Sequence, residues 1–459
     1  MLNFRTGLRG AVAVTMLALA CRPVALRAVP SFARQTGMDC AACHTVFPEL
    51  NSFGRQFKLS GYTMGVKKLT GADAQGDTRL SIGEFPPLAA MFQAGQSSIA
   101  KSATNTVQAD TDKNGVISFP AQFSLFFAGA ISTNMGAFVQ ATYDSGSGLF
   151  HFDNTDVRWA ARSDLLGGMI YGVSINNNPT VQDVWNSTPA WGFPYIQPTG
   201  SNVVGPAGSS QIESLGGQVG SLGAYAYVDD LIYLEASTYR SIDPLGGAYS
   251  MQGYSPYWRL ALQQDFGDVN AELGTFGMAV NNYPTAIGYV TANAPMDSYT
   301  DFGVDSQIQY VTDDHIVSLS GSWIRESQDW NASNALAATQ NPNDQLNRLK
   351  LTGTYYFRRK LGASVGYFST TGSQDTLLYG SGSASGSTSG IPTTNGMVYE
   401  LNYLPWYNTK FALQYTAYNE FNGGTTGYTS YADDSNPGSA ISRNAWDNNT
   451  LMLSGWLMY

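Results

Sequence analysis

Two thiols and an imidazole stand together near the start of the 459-residue chain, as Cys40-Ala41-Ala42-Cys43-His44. A two-residue gap between cysteines, with histidine directly after, is the spacing of c-type haem attachment. The thiols add across the haem vinyl groups, and the imidazole supplies the proximal axial nitrogen. A redox dithiol uses the same cysteine spacing but belongs in a βαβ context, which this sequence lacks. A zinc site needs four ligands. Cys21 is the one other cysteine in the chain, and it falls in a segment read below as discarded. The expected cofactor is therefore one c-type haem, bound through Cys40, Cys43 and His44.

Haem is attached in this way outside the cytoplasm, and the first 28 residues agree with export. Arg5 and Arg9 give a basic start, and Gly10 to Ala20 form an apolar run too short to span a bilayer. Cleavage is expected after Ala28, with a second acceptable position after Ala20. Losing residues 1–28 takes four arginines from a formal net charge of −10 and leaves −14. A surface of that sign attracts cations and repels nucleic acid, so no nucleic-acid partner is expected.

The elements around the motif must position it. The spacing of Leu50, Phe53 and Phe57 predicts a short helix over residues 48–58, with Pro48 in its first turn and one apolar face. Gly61-Tyr62 ends it. Residues 29–87 are expected to form a small helical haem plug domain, too short to build a large core alone. Arg55 and Lys58 on the helix are candidates for charge-assisted bonds to haem propionates. For the distal ligand Met64 is favoured, since a thioether raises the haem potential. Met91, His151 in a short outer loop, His315 beside a turn, and no protein ligand stay open.

From Leu88 to Tyr459 the pattern changes to period two. Phe302, Val304, Ile308 and Tyr310 alternate with Gly303, Asp305, Gln307 and Gln309. Phe411-Ala412-Leu413-Gln414-Tyr415 and Ile232-Tyr233-Leu234-Glu235 alternate likewise. This is the signature of strands with one lipid face and one polar lumen face. About sixteen such segments can be placed, an even number as in bacterial outer-membrane barrels. Tight turns at Thr133-Asn134, Asp229-Asp230, Gly267-Asp268, Asp313-Asp314 and Arg358-Arg359 alternate with long Gly/Ser/Asn/Pro-rich loops such as 177–218 and 420–448. The fold expected is mainly β, a roughly 16-stranded transmembrane barrel over residues 88–459, preceded by the plug. An even strand count puts both barrel ends on the periplasmic side. The last strand ends on Tyr459, like the terminal signal read by the outer-membrane assembly machinery. Asp110-Thr111-Asp112-Lys113-Asn114-Gly115 resembles half of an EF-hand loop, but Ala121 stands where a bidentate Glu is required. It reads as an acidic loop. Glu235, Glu272, Asp305 and Glu400 are expected to line the lumen.

The run Pro30-Ser31-Phe32-Ala33-Arg34-Gln35-Thr36-Gly37 precedes the motif; Phe47-Pro48-Glu49-Leu50 and Phe53-Gly54-Arg55-Gln56-Phe57-Lys58-Leu59 follow it. Together they resemble the fused monohaem cytochrome–porins of the outer membrane, a group that includes the iron oxidases of neutrophilic and acidophilic iron-oxidising bacteria. The motif likeness covers residues 30–65; beyond it the likeness is one of architecture. The resemblance implies a protein in the outer membrane of a Gram-negative bacterium, with its haem in or below the pore. It implies extracellular Fe(II) as donor, a periplasmic c-type cytochrome as acceptor and outer-membrane lipid as surroundings. Such an iron oxidoreductase works by one-electron transfer and needs no general base or nucleophile. No family residue for binding iron carries over. The alternatives are a conduit for another extracellular donor or acceptor, a haem-gated diffusion porin, and a soluble monohaem protein with an unrelated β domain.

Overall fold

The computed structural model describes residues 30–65, 69–70, 82–83, 87–101, 115, 117–144, 148–198, 206–242, 250–284, 294–380, 387–406, 408–431 and 440–459. The expected export segment, and all of the acidic 110–117 run but Gly115 and Ile117, lie outside the described residues.

The period-two segments form sixteen long antiparallel strands. In chain order they are β1 Leu88–Ile99, β2 Ile117–Ala130, β3 Met135–Asp144, β4 Leu149–Ser163, β5 Met169–Asn176, β6 Val219–Val228, β7 Ile232–Ser241 and β8 Ser255–Phe266. There follow β9 Val269–Tyr283, β10 Asp297–Val311, β11 His315–Asp329, β12 Asn343–Phe357, β13 Leu361–Gly372, β14 Thr394–Trp406, β15 Thr409–Glu420 and β16 Thr450–Met458. Each pairs with its sequence neighbours, and β16 pairs with β1 from Thr450↔Ile99 to Met458↔Met91. That last ladder closes the sheet into a barrel and leaves no long edge. Tyr459 extends the closure by exchanging backbone hydrogen bonds with Ala90 at 2.7 and 2.8 Å.

The side chains invert the pattern of a water-soluble protein. Along β8, Trp258, Leu260 and Leu262 are 41, 40 and 48% exposed, while Arg259 and Gln263 at the alternate positions are 1 and 2% exposed. The same alternation runs along β10, where Phe302 and Ile308 face out and Asp305, Gln307 and Gln309 face in. A closed barrel with an apolar outer wall and polar lumen suits a bilayer, because every strand hydrogen bond is satisfied within the ring.

Hairpin turns lie at one rim. At Asp229-Asp230 and Arg358-Arg359 both central residues have positive φ, between 50° and 56°, the requirement of a tight turn that follows strand twist. At the opposite rim most connections are long. Two departures from the sequence expectation occur in the strands and loops. β4 starts at Leu149, so His151 lies within a strand, its backbone opposite Thr142, and not in an outer loop. Loop 177–218 does not stay outside the barrel. Val181, Val184, Trp185, Ile212 and Leu215 are buried, and Trp185 Nε1 donates to Gln263 Oε1 on β8 at 2.9 Å. These apolar residues favour the lumen over water, which outweighs the loop-like composition around them.

Candidate functional site

Residues 30–65 lie inside the lumen and are pinned to its wall from several directions. Arg55 is 1% exposed; its guanidinium donates to Gln307 Oε1 at 3.0 Å and to Asn270 Oδ1 at 2.5 Å. Tyr62 Oη donates to Asp156 at 2.5 Å, and Asp156 is held by Arg158 at 2.8 Å. Tyr225 Oη donates to the Leu59 carbonyl at 2.7 Å. Near the short-turn rim, Arg359 donates to the carbonyls of His44 and Thr45 at 3.1 and 3.0 Å. Beyond residue 65 the expected plug segment is described only as a two-residue ladder, Leu69–Thr70 with Ile82–Gly83.

Two helices and one tight turn shape this segment: α1 Pro30–Thr36, a 3-10 turn Cys40–Ala42, and α2 Ser52–Leu59. α2 begins four residues later than the sequence predicts. Asn51 sets the start, since its Oδ1 accepts from Gly54 N at 2.9 Å as an N-cap. Pro48 therefore precedes the helix, and its carbonyl is used elsewhere. The expected apolar face is also rotated. Leu50, Gly54, Phe57 and Lys58 line the central cavity, whereas Phe53 does not. Gly54 allows close approach: a Cβ there would lie 2.1 Å from the Cys43 carbonyl oxygen.

A cavity of about 210 Å³ lies between this segment and the barrel. Cys40, Cys43 and His44 all line it. Cys40 and Cys43 form no disulfide. Among the described residues, no three His, Cys, Asp or Glu side chains converge to hold an ion, so the triplet faces a cavity instead of closing on a metal. Aromatic rings make much of the wall: Phe32, Phe47 and Phe57 from the inner segment, Phe126 and Phe138 from β2 and β3, and Trp456 from β16.

His44 is held in one tautomer. Its Nδ1 lies 3.1 Å from the Pro48 carbonyl oxygen; a carbonyl only accepts, so Nδ1 carries the proton and Nε2 keeps its lone pair. Burial pushes its pKa down to about 4, against the two backbone carbonyls of Pro48 and Glu49 that favour the charged form. The ring is thus a neutral nitrogen donor. Cys43 is pushed up to about 11 by burial and by the neighbouring Cys40, so it rests as a thiol.

The other sequence candidates separate. Lys58 lines the cavity; its Nζ donates to the Val181 carbonyl at 2.5 Å and lies 5.2 Å from the Trp191 ring centre. Burial lowers its pKa to about 8. Arg55 is turned to the barrel wall and does not line the cavity. Met64 lies outside the lining as well, with its Sδ 3.9 Å from an Arg162 nitrogen; Met91 and Met38 are in it. His315 stacks on Tyr355 at the outer surface, away from the cavity. Glu235, Glu272, Asp305 and Glu400 do face inward and are buried. Three of them meet a cation: Glu272 and Asp305 share Arg259 with Asp183, and Glu400 pairs with Lys410.

The cavity also contains residues that the motif did not indicate. Gln93, Gln122 and Gln140 occupy inward positions of β1, β2 and β3, a placement available from strand alternation. On β4 a register shift opposite Val139/Ala141 lets consecutive residues Asp153 and Asn154 both face the cavity, as a β-bulge does. Asn186, Trp191 and Tyr195 come from the inward loop, for which the sequence carries no positional signal.

No protein-family model matches the chain, and no curated protein matches it in sequence. The solved structures to which the chain is similar include three barrels, each match covering 81% of this chain. They are the outer-membrane expressed OmpT of Vibrio cholerae (11% identity, 97% of that chain, TM-score 0.43), the outer membrane channel DcaP of Acinetobacter baumannii (10%, 96%, 0.43), and an anion-selective porin from Comamonas acidovorans (12%, 98%, 0.46). The sixteen-strand closure of this chain rests on its own hydrogen-bond register.

Proposed function

We propose that this chain is an outer-membrane electron conduit with a covalently attached haem in its lumen. The observation that carries the reading is the convergence of Cys40, Cys43 and a neutral His44 on one aromatic-walled cavity. The residues fit the group: two thiols at thioether spacing, an imidazole whose Nε2 is available, and aromatic, largely apolar walls. Pro48 orients the proximal imidazole, Gly54 brings α2 against the attachment loop, and Lys58 stands ready for a propionate. A haem held there supplies a one-electron couple between an external Fe(II), which leaves as Fe(III), and a periplasmic c-type cytochrome.

The barrel supports the cellular setting through its apolar outer wall, and the short-turn rim that bonds to His44 is read as periplasmic. The lumen is occupied by residues 30–65 and by the inward loop, which favours electron passage over solute diffusion. Fe(III) precipitates near neutral pH, so oxidation at the outer side keeps the product outside. The test is Fe(II) addition to purified, haem-loaded protein with the visible spectrum followed in time. Rapid sharpening of the α and Soret bands is expected. No reduction by Fe(II), with fast reduction by another donor, would assign the conduit to that donor instead.

A further inference from the structure

We propose that Met91, on the barrel wall, would supply the second protein ligand to the iron of a haem bound through His44; the inference rests on the haem reading above. Among the described residues, only two methionines line the cavity with Cys40, Cys43 and His44, namely Met38 and Met91. They differ in exposure. Met38 is 40% exposed, on the stretch between α1 and the attachment turn, whereas Met91 is 4% exposed. A thioether competes with water for iron best where water is excluded and its own position is fixed.

Met91 meets both conditions. Its backbone pairs with Met458 on one side and Ser124 on the other, in two barrel ladders. Its side chain packs with Phe126, Phe138 and Trp456 in one buried cluster. Gln93 Nε2 donates to Met91 Sδ at 3.6 Å, within sulfur hydrogen-bond range. A thioether sulfur has two lone pairs, so this bond orients the group and leaves one pair for a metal. Gln93 is thus a positioning residue. By drawing electron density from the sulfur it favours the ferrous state and raises the potential, as a group that takes electrons from Fe(II) requires.

The arrangement has a mechanical consequence. The proximal ligand belongs to the lumen segment and the distal ligand to the barrel, so the iron ties the two together.

The test compares haem-loaded wild type with Met91→Leu, Met38→Leu and Met64→Leu, leucine being close to methionine in volume. Covalent haem is measured in each by haem staining after denaturing electrophoresis. Ligation is read from the weak near-infrared charge-transfer band of ferric thioether-bound haem. Wild type, Met38→Leu and Met64→Leu should keep the band, and Met91→Leu should lose it while retaining covalent haem. Gln93→Leu should keep the band but lower the midpoint potential. Covalent haem without the band in wild type, a band that survives Met91→Leu, or a band lost in Met38→Leu or Met64→Leu overturns the assignment alone. Absence of covalent haem from wild type overturns the haem reading and this assignment with it.

Discussion

At Gly54 the side chain matters by being absent. The site depends on α2 lying directly against the attachment loop, and a methyl group would stand 2.1 Å from the Cys43 carbonyl oxygen. Backbone on both sides must then shift, which costs about 1–3 kcal/mol for an overpacked site. Gly54→Ala is expected to lower the haem-to-protein ratio and the thermal unfolding temperature. Gly455→Ala on β16 should change neither, because its nearest neighbour is 3.6 Å away. Equal haem content in the two variants would contradict this role for Gly54. That Cys40, Cys43 and His44 share one cavity was legible from the sequence because the three lie within five consecutive residues. The Pro48 partner of His44 is local too, four residues on. Which methionines reach that cavity was not legible: Met64, favoured from the sequence, lies outside the lining, whereas Met38 and Met91 are in it, a placement that depends on how the segment sits in the barrel. Arg55 shows the same limit: its charge was visible, but its carboxamide partners sit on β9 and β10.

Strands were easier to read than loops. Most of the sixteen follow a two-residue period that burial on one face enforces, broken at places such as the β4 bulge, so their existence followed from alternation and their order from the short turns and long loops between them. The loop between β5 and β6 has no such constraint, and its inward course depends on contacts made far along the chain. Its short helix α3, Gln211–Ser214, is anchored by one such contact. Glu213 meets Arg348 Nε at 2.6 Å and Lys350 Nζ at 2.7 Å on β12. Burial opposes ionisation of this carboxyl, but the two cations outweigh it and hold the pKa at about 2, below the ordinary 4.5. A depressed carboxylate pKa stabilises the folded form above the unfolded value, and the contribution disappears as pH falls through the folded one. The anchor is therefore complete above pH 4.5, worth about 3 kcal/mol, and fades toward pH 2. In detergent, cleavage of the loop by an acid-stable protease should accelerate across that window. Glu213→Gln should be cleaved faster than wild type at pH 5, with the gap closing as pH falls. A gap of constant size would show that the ion pairs do not hold the loop.

For the whole molecule, the proposed function asks one filled lumen both to block solutes and to let electrons pass. The barrel alone would be a channel, yet the inner segment is tied to the wall at Asn270, Gln307, Asp156 and Tyr225. The inward loop adds Trp185, bonded to Gln263 across the lumen. Diffusion would require these buried contacts to open together, whereas an electron needs only a redox group between the two rims. The segment that carries Cys40, Cys43 and His44 is bonded to the short-turn rim through Arg359, and Asp153 and Asn154 line the same cavity from the other half of β4. Liposomes carrying the haem-loaded protein, with oxidised c-type cytochrome trapped inside and Fe(II) added outside, separate the two behaviours. The trapped cytochrome should become reduced while entrapped sugars stay in, and protein-free liposomes should keep their sugars and leave the cytochrome oxidised. Cys40→Ser/Cys43→Ser protein should lose the reduction by more than tenfold without gaining sugar leakage. Sugar leakage at the rate of an open porin would mark the chain as a diffusion channel. Reduction that persists in the double variant would remove the haem from the path.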